Sequence, residues 1–154
     1  MAKTPAEALV QMKRRFHDYD VFMCYDHADK HAVKKVAVAL QLRGVLPWLD
    51  EWELRPGFPW QPELEKQIKH IKSAAVFVGQ SGISPWQNVE IDAFLREFMR
   101  RRCAIIPVIL PDCKHVPDLP VFLSGLQWVD FRQYDPNPLK MLVWGITGRL
   151  STDL

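Results

Sequence analysis

The segment VFVGQSGISPWQNVEIDAFLREF, residues 76–98, joins a strand pattern to a helix pattern, and the chain is organised around this junction. Its apolar run is typical of a buried strand, the Gly/Ser/Pro residues after it predict a loop, and the following residues predict a helix. Trp86 and Glu90 stand four residues apart in the first turn of that helix, so they share one face. If the protein carries out chemistry, we expect Glu90 to be at its centre.

Both residues of this pair also have structural explanations. A glutamate in the first turn of a helix interacts favourably with the helix dipole, by about 0.3–1 kcal/mol. A tryptophan at a helix start often packs into the core while its N–H finds a partner. The residue types alone therefore leave both interpretations of Trp86 and Glu90 open.

The alternation of strand and helix patterns along the chain predicts an α/β fold. The predicted strands are residues 19–25, 45–49, 74–78, 104–110 and 126–131, and the predicted helices that follow them are residues 29–43, 62–72, 86–101 and 139–146. Near-continuous apolar strands separated by helices indicate a parallel sheet covered by helices on both faces. Five such strands favour the flavodoxin-like order 2-1-3-4-5. Pro47 lacks a ladder donor, which agrees with the edge position that this order gives the second strand.

One further helix is predicted ahead of the first strand, over residues 5–17. Pro5 suits the first position of a helix. The apolar residues of this segment recur at helical spacing: Leu9, Met12 and Phe16. We therefore divide the chain into a helical lead-in, residues 1–18, and one domain, residues 19–150.

Composition and charge exclude several classes of protein. The 154 residues suffice for one domain with a real core, and the net charge of +2 is too small to indicate a nucleic-acid or membrane surface. The basic residues of the lead-in are expected to be solvated: Lys13, Arg14 and Arg15. No signal peptide or membrane span is visible, and the three cysteines lack metal or redox spacing. We expect a cytoplasmic, reduced protein.

The predicted strand order places a binding crevice between the first and third strands, beyond their carboxyl ends. Two loops meet there, residues 26–30 and 80–85, and the second leads into Trp86 and Glu90. The glycine-rich phosphate-binding motifs are missing from the chain. The third strand ends in Val78-Gly79-Gln80, without the acceptor aspartate that a receiver domain of the same order needs.

The sequence His27-Ala28-Asp29-Lys30-His31 raises the question of a metal site. Two histidines flanking an aspartate lack a convincing third ligand. Because the segment begins a helix, an N-cap role for Asp29 is the simpler explanation. We expect no metal here, and His27 remains a candidate residue of the crevice.

Three segments together resemble the bacterial form of the TIR (Toll/interleukin-1 receptor/resistance) domain. YDVFMCYDHADK, residues 19–30, is similar to the opening box of that family. GVLPWLDEWELRPGFPW, residues 44–60, resembles its second box with the "BB" loop, and WQNVE, residues 86–90, resembles the segment that holds its glutamate. The resemblance covers about residues 19–148 and implies the flavodoxin-like fold that periodicity also predicts.

The resemblance implies an activity. Enzymatic members of the family cleave NAD+ at the nicotinamide–ribose bond, and some then cyclise or transfer the ADP-ribose, often in anti-phage immunity. The family glutamate corresponds to Glu90, and NAD+ is the substrate, with no further cofactor. The other candidate substrate-binding residues are Trp86, Tyr25, Asp26, His27, Trp48 and Ser84. Cys24 and Asp26 depart from the serines that are common in the opening box, so polar contacts there differ.

The second box implies self-association. In this family the BB loop governs assembly and substrate access, and its candidate residues here are Asp50, Trp52, Arg55, Pro56, Gly57, Phe58 and Trp60. The three aromatic residues either are exposed contact residues or fold back over the edge of the sheet. The implied partners are NAD+, further copies of the chain and a fused or separate sensor module. The alternative function is that of a non-catalytic adaptor that pairs through TIR surfaces.

Overall fold

A parallel sheet of five strands forms the centre of the molecule, in the order β2-β1-β3-β4-β5. The computed structural model describes residues 3–80 and 89–150, and only the backbone of residues 89–91 and 122. The strands are β1 (Val21–Cys24), β2 (Pro47–Trp48), β3 (Ser73–Val78), β4 (Ala104–Ile109) and β5 (Val129–Asp130). Every neighbouring pair runs parallel. The predicted flavodoxin-like order and the edge position of Pro47 are therefore confirmed.

Helices surround the sheet and, apart from α1, they follow its strands along the chain, with both α3 and α4 between β2 and β3. They are α1 (Pro5–Arg15), α2 (Lys30–Gln41), α3 (Asp50–Glu53), α4 (Trp60–Ile68), α5 (Val89–Arg100), α6 (Val121–Ser124) and α7 (Pro138–Thr147), with a 3-10 turn at His27–Asp29 before α2. The proline-rich connection before β5 holds only the short α6. Helix α4 begins at Trp60 and ends at Ile68, earlier than the predicted 62–72, and the apolar residues Leu64, Ile68 and Ile71 of the predicted segment are all buried.

The strands divide their side chains between two cores because successive residues of a strand point to opposite faces. Phe22, Trp48 and Val76 pack with Leu95 and Phe98 of α5 and with residues of α4. The opposite face carries a second cluster, which joins alternate strand residues to α2 and α7: Val21, Met23, Ala75, Phe77, Val108, Val33, Ala37, Leu40 and Leu142. Both faces are therefore covered, which explains why the strands read as continuous apolar runs.

The two edge strands are shorter than predicted. β2 pairs with β1 only at Pro47 and Trp48, and β5 pairs with β4 at Val129 and Asp130. An edge strand has a partner on one side only, and Pro47 has no N–H to donate. The ladder therefore stops where the chain turns away, although neighbouring apolar residues remain buried.

Helix α1 differs from its prediction in the residues that dock it. A capping box joins Thr4 and Glu7 at its start. The single buried residue of α1 is Val10, whereas the predicted apolar stripe is exposed: Leu9, Met12 and Phe16. The expectation of a fully solvated basic face is wrong for two residues. Lys13 Nζ lies 2.8 Å from Asp20 Oδ2, and Arg14 pairs with Glu53. These contacts attach α1 to the domain through charge more than through apolar burial.

Candidate functional site

A cavity of about 350 Å³ lies at the carboxyl ends of β1 and β2. It is lined by Tyr25, Trp48, Asp50, Leu54, Trp60 and Leu64, together with the end of β1. Trp48 and Leu64 belong to the core cluster that α5 also enters. The cavity therefore lies at the edge of the sheet, on the face that α5 covers.

Tyr25 and Asp50 supply the polar groups of this cavity. The Tyr25 hydroxyl donates a hydrogen bond to Asp50 Oδ1, which also accepts the Glu51 backbone N–H at 2.8 Å. Burial, and then the neighbouring Asp50 carboxylate, raise the pKa of Tyr25 above its ordinary value. Tyr25 is therefore a neutral hydrogen-bonding group at physiological pH.

Two tryptophans form apolar walls of the cavity. Trp48 is almost fully buried and its ring centroid lies 5.7 Å from that of Phe22. Trp60, by contrast, is 45% exposed. Of the predicted aromatic contact residues, Trp48 is therefore a core residue with one edge on the cavity, and Trp60 is the wall that solvent reaches.

Helix α3 carries the base of the predicted loop and is attached to three other elements. Glu51 pairs with Lys30 at 3.6 Å and Lys34 at 3.1 Å, both on α2. Asp50 binds Tyr25, and Glu53 binds Arg14 of α1. Trp52 is half-buried against the α2 cluster, so for this residue the folded-back alternative is correct.

The distal part of the loop, Arg55–Trp60, presents its aromatic residues to solvent. Phe58 is 62% exposed, and the Arg55 guanidinium carbon lies 4.8 Å from its ring centroid. Gly57 has φ of +92°, a backbone conformation that glycine adopts without strain. Pro56 precedes it and restricts the turn. This part of the loop is therefore a preformed, exposed aromatic surface.

Asp26 and His27 lie in the loop after β1, and neither is among the described lining residues of the cavity at the ends of β1 and β2. Asp26 Oδ1 accepts the backbone N–H of Ala28 at 2.7 Å and so caps the 3-10 turn, while His27 is exposed. Cys24, the last residue of β1, is buried, and burial raises the pKa of its thiol to about 12. Cys24 is consequently neutral at physiological pH and has no nucleophilic character there.

Asp29 does not have the predicted N-cap role. It occupies the N-cap position of α2 but makes no side-chain capping bond. Its carboxylate instead lies against Gly79 and accepts the backbone N–H of Gln80, across the gap between β1 and β3. Asp29 Oδ2 is buried and has no hydrogen-bond partner among the described residues. Burial, and then the nearby Asp112 and Asp26, raise the pKa of Asp29. Asp29 of the first predicted loop therefore contacts Gln80, the first residue of the second, and residues 81–85 lie outside the described residues.

The structure describes only part of residues 86–90, the third segment that carries the family resemblance. Glu90 lies near the start of α5, and its backbone is helical. Its side chain, and the whole of Ser84 and Trp86, lie outside the described residues. The roles assigned to these three residues stay predictions.

Leu54 and Leu64 are lining residues of the cavity that sequence reasoning did not identify. The helix pattern explains the burial of Leu64 but does not link it to the site. Leu54 belongs to no sequence pattern that would have singled it out. The pairing of Arg14 with Glu53 was also missed, because the two residues are 39 positions apart and come from different elements.

Two further cavities differ in location. One, of about 430 Å³, lies under the distal loop and is lined mainly by Leu54, Arg55, Phe58, Pro62 and Lys66. The other, of about 390 Å³, lies between α2 and α7 on the opposite face and is mostly apolar, with Lys35, Val36, Pro111, Phe131 and Leu139 in its lining. Among the described lining residues, none of the three cavities contains a residue of α5.

The described part of the chain contains neither a metal-type cluster nor a membrane-spanning helix. Within residues 3–80 and 89–150, no group of three or more His, Cys, Asp or Glu side chains is arranged to hold a metal ion. No helix in the same ranges has both the length and the apolar character that crossing a bilayer requires.

Comparison with known proteins gives relatives for this fold. The 2′ cyclic ADP-D-ribose synthase AbTIR of Acinetobacter baumannii is 28% identical over 93 residues, which are 59% of this chain and 35% of that protein. The NAD(+) hydrolase TcpA of a Theionarchaea archaeon is 27% identical over 93 residues, 59% of this chain and 28% of that protein. The chain thus matches well under half the length of either relative.

A solved structure and a family model also match this chain. The TIR domain of the Toll-related receptor TRR-2 from Hydra magnipapillata matches with a TM-score of 0.64 and 21% identity, over 83% of this chain and 98% of that one. At that identity the likeness concerns the fold alone. The family model of the TIR domain matches residues 21–143, most of the chain. This chain therefore belongs to the TIR domain family.

Proposed function

We propose that this protein cleaves NAD+ at the nicotinamide–ribose bond, with Glu90 as its catalytic carboxylate. The observation that carries the proposal is the cavity at the ends of β1 and β2, on the face of the sheet that α5 covers. Aromatic walls and a Tyr25–Asp50 pair suit a flat ring and a hydroxylated sugar. The activities named for two relatives, a cyclic ADP-ribose synthase and an NAD+ hydrolase, support the same chemistry.

The reaction suits a site with one carboxylate. When the bond between ribose C1′ and the ring nitrogen breaks, its electron pair goes to the cationic nicotinamide, which leaves as a neutral molecule. The sugar that remains resembles an oxocarbenium ion. A carboxylate at Glu90 would stabilise that positive charge or accept hydrogen bonds from the ribose hydroxyls.

The fate of the ADP-ribose unit depends on the nucleophile. Attack by water at C1′ yields ADP-ribose and releases one proton, which is hydrolysis. Attack by a group of the same ADP-ribose unit yields a cyclic product and likewise releases the proton of that nucleophile. We propose hydrolysis or cyclisation, and the two products differ in mass by one water molecule.

Other residues have supporting roles in the proposal. Tyr25 and Asp50 would contact the sugar, and Trp48 and Trp60 the ring. Ser84, Trp86, Asp26 and His27 would complete the substrate-binding set from the loops after β1 and β3. NAD+ is the substrate in this scheme and no separate cofactor takes part.

The wider setting of the activity is also proposed. Self-association through the distal loop would switch on the enzyme, in the cytoplasm, as one step of anti-phage immunity, with a fused or separate sensor module as the trigger. This part of the proposal is supported by the family resemblance and by the exposed Arg55–Trp60 surface.

Glu90→Gln tests the proposal directly. Concentrated wild-type protein is incubated with NAD+, and nicotinamide release is followed by chromatography, with and without a crowding agent. Because the variant keeps the shape but loses the charge, we expect a loss of about 10²-fold or more. Glu97→Gln, the same change two turns along α5 at a site that pairs with Arg100 and Arg101 and lies outside the cavity lining, is the matched control and should retain activity. Equal activity of Glu90→Gln and wild type would refute the assignment, as would an inert wild type under all conditions.

A non-catalytic interaction module is the second candidate. The exposure of Phe58 and Trp60 on a loop whose base is fixed supports it, because exposed aromatic residues often mark protein contacts. This candidate predicts association through the loop in the absence of any NAD+ turnover. The nicotinamide measurement therefore separates the two candidates.

A further inference from the structure

Helix α1 reaches the base of the loop that walls the cavity, and we propose that Arg14 of α1 is a positioning residue for it. In this proposal Arg14 holds Glu53, and Glu53 holds α3 and the cavity wall that follows. The inference rests on the proposed function, because it concerns the same cavity. It extends that function to a helix that precedes the matched family domain, residues 21–143.

The contact is made by three side chains. Arg14 Nη1 pairs with both carboxylate oxygens of Glu53, at 2.8 Å from Oε2, and the Tyr19 hydroxyl donates to Oε2 at 3.0 Å. The Glu53 side chain is only 5% exposed, whereas that of Arg14 is 38% exposed. Glu53 is thus a nearly buried carboxylate whose cationic partner comes from α1.

The energetic consequence follows from the burial of Glu53. A buried carboxylate that loses its cation is left with an uncompensated charge, which is costly in the protein interior. The remaining Tyr19 hydroxyl supplies one neutral hydrogen bond. Without Arg14, the carboxylate gains by moving to water, and such a move carries α3 with it.

Displacement of α3 would change the cavity. Asp50 at its start and Leu54 just after its end both line the cavity, and Asp50 holds the Tyr25 hydroxyl. Glu51 and Trp52 anchor the opposite side of α3 on α2, so the Arg14 contact is the attachment on the α1 side. Substrate binding should therefore respond to Arg14 even though Arg14 is not in the cavity lining.

Hydrogen exchange tests the coupling without any need for catalysis. The full chain carrying Arg14→Gln is compared with Arg15→Gln, which removes the same charge from the neighbouring, exposed position of α1. We expect the amides of residues 50–59 to exchange about tenfold faster in Arg14→Gln. Arg15→Gln should exchange like the wild type. Tyr19→Phe keeps the buried ring and should give a smaller increase, which preserves the test if Arg14→Gln folds poorly.

Kinetics tests the link to the cavity. In Arg14→Gln we expect the KM for NAD+ to rise about tenfold with kcat changed less than about twofold, since Glu90 lies on another element. The exchanged pair, Arg14→Glu with Glu53→Arg, restores the opposite charges and should bring KM back close to the wild-type value. If exchange at 50–59 is the same in Arg14→Gln and Arg15→Gln, the positioning role is refuted, whether or not the protein turns over NAD+. An equal fall in kcat for both arginine variants would overturn it as well.

Discussion

Gly79 lies where β3 ends, directly against the buried carboxylate of Asp29. A Cβ built at Gly79 would overlap that carboxylate, so glycine is required here by the close approach of two loops. The adjacent Gln80 donates its backbone N–H to Asp29. At the scale of single residues, this contact joins the ends of β1 and β3 at the crevice.

Gly79→Ala should destabilise the protein by about 1–3 kcal/mol, because the added methyl group must displace a buried charged group. Urea unfolding followed by circular dichroism measures the change. Gly125→Ala is the matched control, since a Cβ there meets nothing within 4 Å, and it should be close to neutral. In an Asp29→Ala background the effect of Gly79→Ala should shrink. Equal stability of the two alanine variants would contradict the account.

Asp29 should give the stability of the protein a defined dependence on pH. Its pKa is raised in the folded chain, mainly by burial and then by Asp112 and Asp26, so the folded state binds more protons than the unfolded state. The stabilisation is therefore complete below the ordinary aspartate pKa and is lost as pH rises through the raised value. Wild type should gain stability relative to Asp29→Asn as the pH is lowered from 7.

Asp130→Asn provides a control of opposite sign. The Arg132 guanidinium, 2.8 Å from Asp130, holds the pKa of that carboxyl below its usual range. Its stabilisation is present above the ordinary aspartate pKa and disappears as pH falls. Wild type should therefore lose stability relative to Asp130→Asn over the same titration, and parallel behaviour of the two variants would argue against the assigned pKa directions.

At the scale of elements, α3 shows how a short helix is fixed by its side chains. A helix of four residues has little stability of its own. Its acidic residues bind α1, the end of β1, and α2, and Trp52 packs into the α2 core. The base of the loop is therefore held while its distal part, Arg55–Trp60, stays accessible.

The cavity is likewise a product of elements. Helix α4 begins at Trp60, earlier than its apolar stripe predicts, so that this tryptophan faces the ends of β1 and β2. Helix α1 contributes one buried apolar residue, Val10, and its polar contacts with Asp20 and Glu53. We retain the division into a lead-in, residues 1–18, and a domain, residues 19–150, as a proposal, with α1 packed on the domain.

At the scale of the whole molecule, the exposed aromatic surface of the distal loop predicts self-association. Phe58→Ser combined with Trp60→Ser should lower the oligomeric fraction, because it removes apolar area that an interface would bury. Light scattering across a concentration series measures the oligomer size. Phe16→Ser, which removes an even more exposed aromatic residue directly after α1, is the control and should leave association unchanged. Identical association of the loop variant and wild type would count against the loop as an interface.

The two-sided core explains how much of this fold could be predicted. Strand and helix types, the sheet order and the edge position of Pro47 follow from local patterns, because each apolar run is long enough to reveal its periodicity. The prediction of a crevice at loops 26–30 and 80–85 follows from topology, and the contact of Asp29 with Gly79 and Gln80 agrees with it. The role of Glu90 remains a prediction from resemblance.

The sequence by itself determined the types and the order of the elements, since both depend on the pattern of neighbouring residues. Only the tertiary structure decided the partners of individual side chains. It placed Arg14 on Glu53, packed the half-buried Trp52 against the α2 cluster while leaving Phe58 exposed, and put the carboxylate of Asp29 against Gly79 in place of the expected capping bond. These outcomes depend on distances between residues that are far apart in the chain, and packing sets those distances.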